Sequence, residues 1–206
     1  MHLDAPRGFR NPDRVADRLA MLETAPSAQP LRDWADDLAA RRKVVVPHFD
    51  PAEAGVDARV LMLLEAPGPM ANEHGGRPGS GFISVDNDDP TAQNIWTTRN
   101  DVGLHDGVLV WNIVPWYLGP ASIHPTVSVM AQGAMELRRL LPLLQNVSAI
   151  VLSGRYAQSG WKKHVAPFVG SALTVFETWH PSALSFNQPG HSDDFKRALE
   201  RAVRYA

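Results

Sequence analysis

Residues 59–69 read RVLMLLEAPGP: one arginine, five consecutive apolar residues from Val60 to Leu64, then Glu65, Ala66 and a Pro-Gly-Pro turn. The run is too short for a typical helix and shows no polar alternation, so it predicts a strand covered on both faces. Three further runs of this kind follow, VLVWNIV at 108–114, VSAIVL at 147–152 and ALTVFET at 172–178. Helical patterns lie between or after them, at 90–100, 127–144, 154–166 and 191–205. Apolar strands alternating with helices predict a three-layer α/β/α fold around a four-stranded, mainly parallel sheet.

Upstream of this core, Asn11-Pro12 followed by DRVADRLAMLE reads as a helix capped by Asn with Pro in its first turn. Residues 30–42, PLRDWADDLAARR, give a second amphipathic helix. The expected organisation is one domain over residues 1–206, with residues 1–58 a helical N-terminal extension packed on it through Trp34.

Composition narrows the function classes. With 206 residues, 44% hydrophobic and 20% charged, the chain can bury a sizeable core. No apolar run approaches the roughly 20 residues of a membrane span, and the N-terminus has no signal-peptide core, so a cytoplasmic monomer is expected. The absence of cysteine excludes disulfides, a thiol nucleophile and Cys-ligated metal clusters. No HExxH, HxH, GxGxxG or GxxxxGK[ST] pattern is present, so neither a metal nor a nucleotide cofactor is expected. A net charge of -2 provides no bulk attraction to nucleic acid; such a partner would need a local basic surface.

In parallel sheets the ligand site lies beyond the carboxyl ends of the strands. The four segments there read EAPGP, NIVPWY, SGRYAQSGW and HPSALS. Glu65 is either a solvated turn residue or an acid held at the sheet edge. Asn112 interrupts an apolar strand, where an unpaired amide costs about 1–3 kcal/mol. It is either satisfied by backbone or reads the edge of a planar heterocycle, since it offers one acceptor and two donors. Ser153-Gly154-Arg155 opens a helix whose N–H groups can hold an anion, with Lys162, Lys163 and His164 adding positive charge. His180 is either a polar strand end or the working group of a site. The long stretch 68–89 carries glycines at 75, 76, 79 and 81, and a loop of that length is more often functional than idle. Within it Phe82 either anchors the loop or offers a ring for a base to stack on. Asp89-Pro90 reads as a structural N-cap, and Asp86 and Asp88 carry no assignment from pattern alone.

Taken in order, these segments resemble the uracil-DNA glycosylase superfamily over roughly residues 59–190. EAPG at 65–68 is similar to the first motif of the family's iron–sulfur branch. WNIVP at 111–115, LSGRYAQSGWKK at 152–163 and HPSAL at 180–184 resemble its later motifs. Three departures stand out: Leu64 replaces a usual glycine, Ala66 stands where the best-known branch has its catalytic Asp, and no cysteine is present for the cluster.

The resemblance implies a DNA repair enzyme that flips uracil from DNA and hydrolyses its N-glycosidic bond. It implies that His180 hydrogen-bonds the uracil oxygen that gains charge and that Asn112 reads the uracil edge. Phe82 would stack on the base, while Ala66, Pro67 and Gly68 border it. Ser153, Gly154, Arg155 and Ser182 would hold phosphates, and Leu184 would fill the space that the flipped base vacates. Glu65 is the first candidate for the acid acting on water, with Asp86 and Asp88 next. The implied partner is DNA containing uracil or an abasic site, with no cofactor. Three alternatives stay open at this point: a damage- or abasic-site-binding protein without efficient turnover; a glycosylase for hypoxanthine, xanthine or mismatched thymine; and a small-molecule hydrolase using Ser153.

Overall fold

The computed structural model describes residues 2–72, 78–119, 123–170 and 172–206. Two helices come first, α1 (Pro12–Thr24) and α2 (Gln29–Arg42). Then follow β1 (His48–Phe49), β2 (Val60–Leu64), β3 (Phe82–Ile83) and α3 (Pro90–Val102). The chain continues through β4 (Val108–Asn112), α4 (Val127–Leu140), β5 (Ala149–Ser153) and α5 (Arg155–His164). It ends with β6 (Thr174–Thr178), the short α6 (Ala183–Phe186) and α7 (His191–Ala202).

The main sheet has the order β4-β2-β5-β6, and every neighbouring pair is parallel. Strands β2, β4 and β5 are buried at every position, which is why their sequences are almost continuously apolar. The β2–α3–β4 connection runs one way along the sheet and β4–α4–β5 runs the other. Right-handed crossovers therefore put α3 on one face and α4 and α5 on the opposite face. The direction of strand order reverses beside β2, the position at which α/β sheets open a crevice for ligand.

Capping fixes where the helices begin. The side chain of Asn11 accepts from Asp13 N at the start of α1, and that of Asp89 accepts from Ala92 N at the start of α3, each with Pro at the helix start. Helix α2 contributes Leu31 and Ala35 to the main core, and Trp34 packs edge-on against both Phe49 and Trp111.

The N-terminal segment also braces the 68–89 stretch. Phe9 and Phe82 share a small second core with Leu22 and Ala28. Below it, the buried guanidinium of Arg18 bridges Asp50 and Asp86, whose carboxylate also accepts from Leu3 N. Gly75 and Gly76 of the expected loop lie outside the described residues. Gly81, with φ 79, passes its carbonyl to His48 N at 2.8 Å and so joins this stretch to β1.

Candidate functional site

A cavity of about 380 Å³ opens at the carboxyl ends of β2 and β4. One wall is the turn Ala66-Pro67-Gly68, and Val110 and Asn112 of β4 form another side. Ile83, Ser84 and Val85 close it below α3, whose first residues from Asp89 to Ala92 also border it, and His180 enters from beyond β6. The turn after β2 is held in place by the strand beside it: Ile113 N donates to Leu64 O at 2.8 Å and Val114 N to Glu65 O at 3.0 Å.

Asn112 is the last residue of β4 and is 3% exposed. Among the described residues its amide has no hydrogen-bond partner, although it borders the cavity. The amide thus borders the hollow with an acceptor and two donors to offer.

His180 is set for one tautomer. Ser182 N donates to its Nδ1 at 3.1 Å, so Nδ1 is the acceptor and the ring proton sits on Nε2. Burial, and then the nearby His124, lowers its pKa from 6.5 to about 4, so at neutral pH it is an uncharged imidazole with one N–H to give. The segment that carries it is tied down twice. Asn94 Nδ2 donates to Pro181 O at 2.8 Å, and Phe186 N donates to Ser182 O at 2.7 Å as α6 begins. On α6, Leu184 stands 86% exposed. Ser182, partly exposed, precedes it without a side-chain capping bond.

Several sequence expectations are corrected by these placements. Phe82 does not face the cavity: it is fully buried in the second core, 6.3 Å from the Phe9 ring. Side chains alternate along a strand, so its neighbour Ile83 points into the cavity instead. Glu65 is not part of the lining. Its Oε1 pairs with His124 Nδ1 at 2.7 Å, and the His124 ring stacks on Tyr156 with centroids 4.8 Å apart. Asp86 is sealed in its pairing with Arg18, and Asp88 is held by Arg10 at 2.8 Å and Arg7 at 3.5 Å, so neither reaches the cavity.

The strand-end serine is also placed differently from expectation. Ser153 is fully buried, and among the described residues its Oγ has no partner, so as placed it neither contacts a phosphate nor has a base to activate it. Gly154 N already donates to Thr178 O at 2.8 Å, which removes it as a phosphate donor. Arg155 stays at the surface, donating to Tyr156 OH at 2.9 Å.

Sequence reasoning gave Asp89 a capping role alone. The residue does cap α3, with Oδ1 accepting from Ala92 N at 2.9 Å, but it also borders the cavity. Burial raises its carboxyl above the ordinary value of 3.8, against the opposing pull of the Ala92 and Thr91 N–H groups and of Arg7. Among the described residues no cluster of His, Asp and Glu is arranged to hold a metal ion. Among them, too, no helix is long and apolar enough to cross a membrane.

Comparison with known proteins places the chain in a family. No curated protein sequence matches the chain. The solved structures similar to the chain include two of viral origin. One is a point variant of mimivirus UNG in complex with UGI, with 15% identity, a TM-score of 0.43, and coverage of 90% of this chain and 73% of that one. The other is mimivirus uracil-DNA glycosylase, with 13% identity, a TM-score of 0.45, and coverage of 86% of this chain and 74% of that one. The family model described as the uracil DNA glycosylase superfamily matches residues 51–204, three of the chain's four quarters, and with them the whole parallel sheet and the cavity at its edge. The chain belongs to the uracil DNA glycosylase superfamily.

Proposed function

We propose that the protein is a monofunctional DNA glycosylase that draws uracil out of DNA and hydrolyses its bond to deoxyribose, leaving an abasic site. The observation that carries this reading is the pairing, in one cavity, of an unpartnered Asn112 amide with a neutral His180 whose Nε2–H is free to donate. Uracil offers a carbonyl beside an N–H, the pattern that an Asn side chain complements. Its remaining carbonyl gains negative charge as the glycosidic bond breaks, and a preplaced N–H donor stabilises that charge most in a dry cavity. A neutral imidazole can fill this role because, with Nδ1 accepting from Ser182 N, its one N–H is on Nε2 and available to donate.

The cavity size and surroundings support the same reading. A hollow of about 380 Å³ lies at the small end of ligand pockets, of about 300–1,000 Å³, and suits one extruded base. A base inside a duplex cannot reach it without flipping, which costs a few kcal/mol. Leu184, projecting from α6 beside His180, is the apolar side chain to occupy the vacated stack. Phosphates on either side fall to Ser182 and Arg155, which remain accessible. We also propose that residues 1–58 work with the rest as one unit, since Arg18 and Phe9 position the β3 wall of the cavity.

The experiment is a glycosylase assay on oligonucleotides bearing a single uracil, single-stranded or opposite G or A, followed by alkaline cleavage and run beside direct binding. Uracil-dependent strand cleavage is expected, and it should vanish in His180→Ala. Tight binding without base release would favour damage recognition without turnover; release from hypoxanthine-containing strands alone would change the base.

A further inference from the structure

We infer that Asp89 is the carboxylate that holds and deprotonates the attacking water in this cavity; the inference rests on the glycosylase reading above. The position that holds an Asp in the superfamily's best-known branch is Ala66 in this chain and ends at a methyl group. The nearby acids are engaged elsewhere: Glu65 with His124, Asp86 with Arg18 and the Leu3 N–H, and Asp88 with Arg10 and Arg7. Among the described residues, Asp89 is the carboxylate that shares the cavity lining with Asn112 and His180.

Its placement suits the task. Asp89 is extended, with φ -142 and ψ 160, immediately before Pro90, so the backbone that carries it is stiff. Oδ1 accepts from Ala92 N at 2.9 Å and the Thr91 N–H also acts on the carboxylate, but no side chain bonds it, so lone pairs remain for a water at the cavity border. The cap thus does two things: it starts α3 and it fixes one carboxylate rotamer at the border of the hollow.

The step balances without any further reactant. The water oxygen forms a bond to C1′ of the deoxyribose while the bond from C1′ to the base nitrogen breaks. The electron pair of the broken bond leaves with uracil, whose oxygen takes the His180 hydrogen bond. The water proton passes to Asp89 and from there to solvent. A base for this purpose works best when its pKa lies near the working pH, and burial moves Asp89 in that direction. The charged neighbours that act on it are Arg7, which favours the carboxylate, and Asp88, which disfavours it. His180 faces the same hollow uncharged.

Asp89→Asn tests the role cleanly, since Asn caps a helix about as well as Asp and keeps its shape. The melting temperature should move by no more than about 2 °C, and binding to uracil-containing DNA should persist. Single-turnover excision should fall about 10²–10⁴-fold. In the wild type, activity should decline as pH falls through the raised Asp89 pKa, and that acid limb should disappear from the residual activity of the variant. Asp89→Ser, which also caps, should show the same loss. Full activity with an unchanged pH profile in both variants overturns the inference, as does a loss found in Glu65→Gln and not in Asp89→Asn. A wild-type protein that releases no base overturns the glycosylase reading itself, and Asp89's role falls with it.

Discussion

Gly154 and His180 are in direct contact: a Cβ built on Gly154 would lie 2.8 Å from the His180 Cβ and 3.2 Å from its Cδ2. The strand end that sequence reading took for a phosphate donor is a seat for the imidazole. With φ at 91, Gly154 also holds a backbone conformation that side-chain-bearing residues rarely adopt. Both features come from one position, directly after β5, and both serve to let the segment after β6 approach the sheet closely.

Gly154→Ala therefore combines two costs. The left-handed backbone costs about 1–2 kcal/mol, and the new methyl pushes on the His180 ring. A misplacement of about 1 Å at a reacting group can cost about 10²-fold in rate. The variant should remain folded by circular dichroism, melt earlier and lose excision by about that factor in single-turnover assays. An alanine variant as active as wild type would mean that His180 is not held through this contact.

His180 also sets a pH dependence of stability. The folded chain lowers its pKa from 6.5 to about 4, so the folded state binds this proton less readily than the unfolded state. The contribution is complete above the unfolded value and is lost as pH falls from about 6.5 toward 4, by about 3 kcal/mol at most. Urea unfolding at about pH 7.5 and about pH 4.5 should show wild type losing more stability than His180→Asn over that interval. Equal losses in the two proteins would show that His180 titrates normally in the folded state.

These two residues also show how far the sequence was legible. Asn112 and His180 stand out because each is polar where an apolar strand ends, and strand ends in a parallel sheet converge. Leu184 lies six residues past the end of β6 and is read from the same short segment. Phe82 and Ile83 were not separable, because β3 is two residues long and offers no alternation from which to read a face. Glu65 pairs with His124, 59 residues along the chain, a contact that local pattern does not encode. Asp89 was legible as a cap, and that sufficient local explanation hid its second surface.

Arg18 supports the cavity from outside. Its guanidinium is buried between Asp50 and Asp86, and Asp50 also takes the hydroxyl hydrogen of the cavity residue Ser84. Arg18→Met leaves two buried carboxylates without their cation, a change that costs about 3–5 kcal/mol. Arg18→Lys should recover only part of this, because an ammonium cannot reproduce the forked geometry of two simultaneous pairings. Guanidinium chloride unfolding of the three proteins should rank them wild type, lysine, methionine. A methionine variant as stable as wild type would mean that the pairings add nothing net.

Leu184 separates folding from function most sharply. At 86% exposed it buries little, so Leu184→Ala should change stability by no more than about 0.5 kcal/mol. If the side chain fills the stack left by a flipped base, its loss matters only where a stack exists. Excision from duplex DNA should therefore slow, while excision from a single strand, which needs no wedge, should hardly change. The ratio of the two rates, measured on the same uracil-containing sequence with and without its complement, is the quantity to follow. Parallel losses on both substrates would place Leu184 in general DNA contact and not in the duplex step.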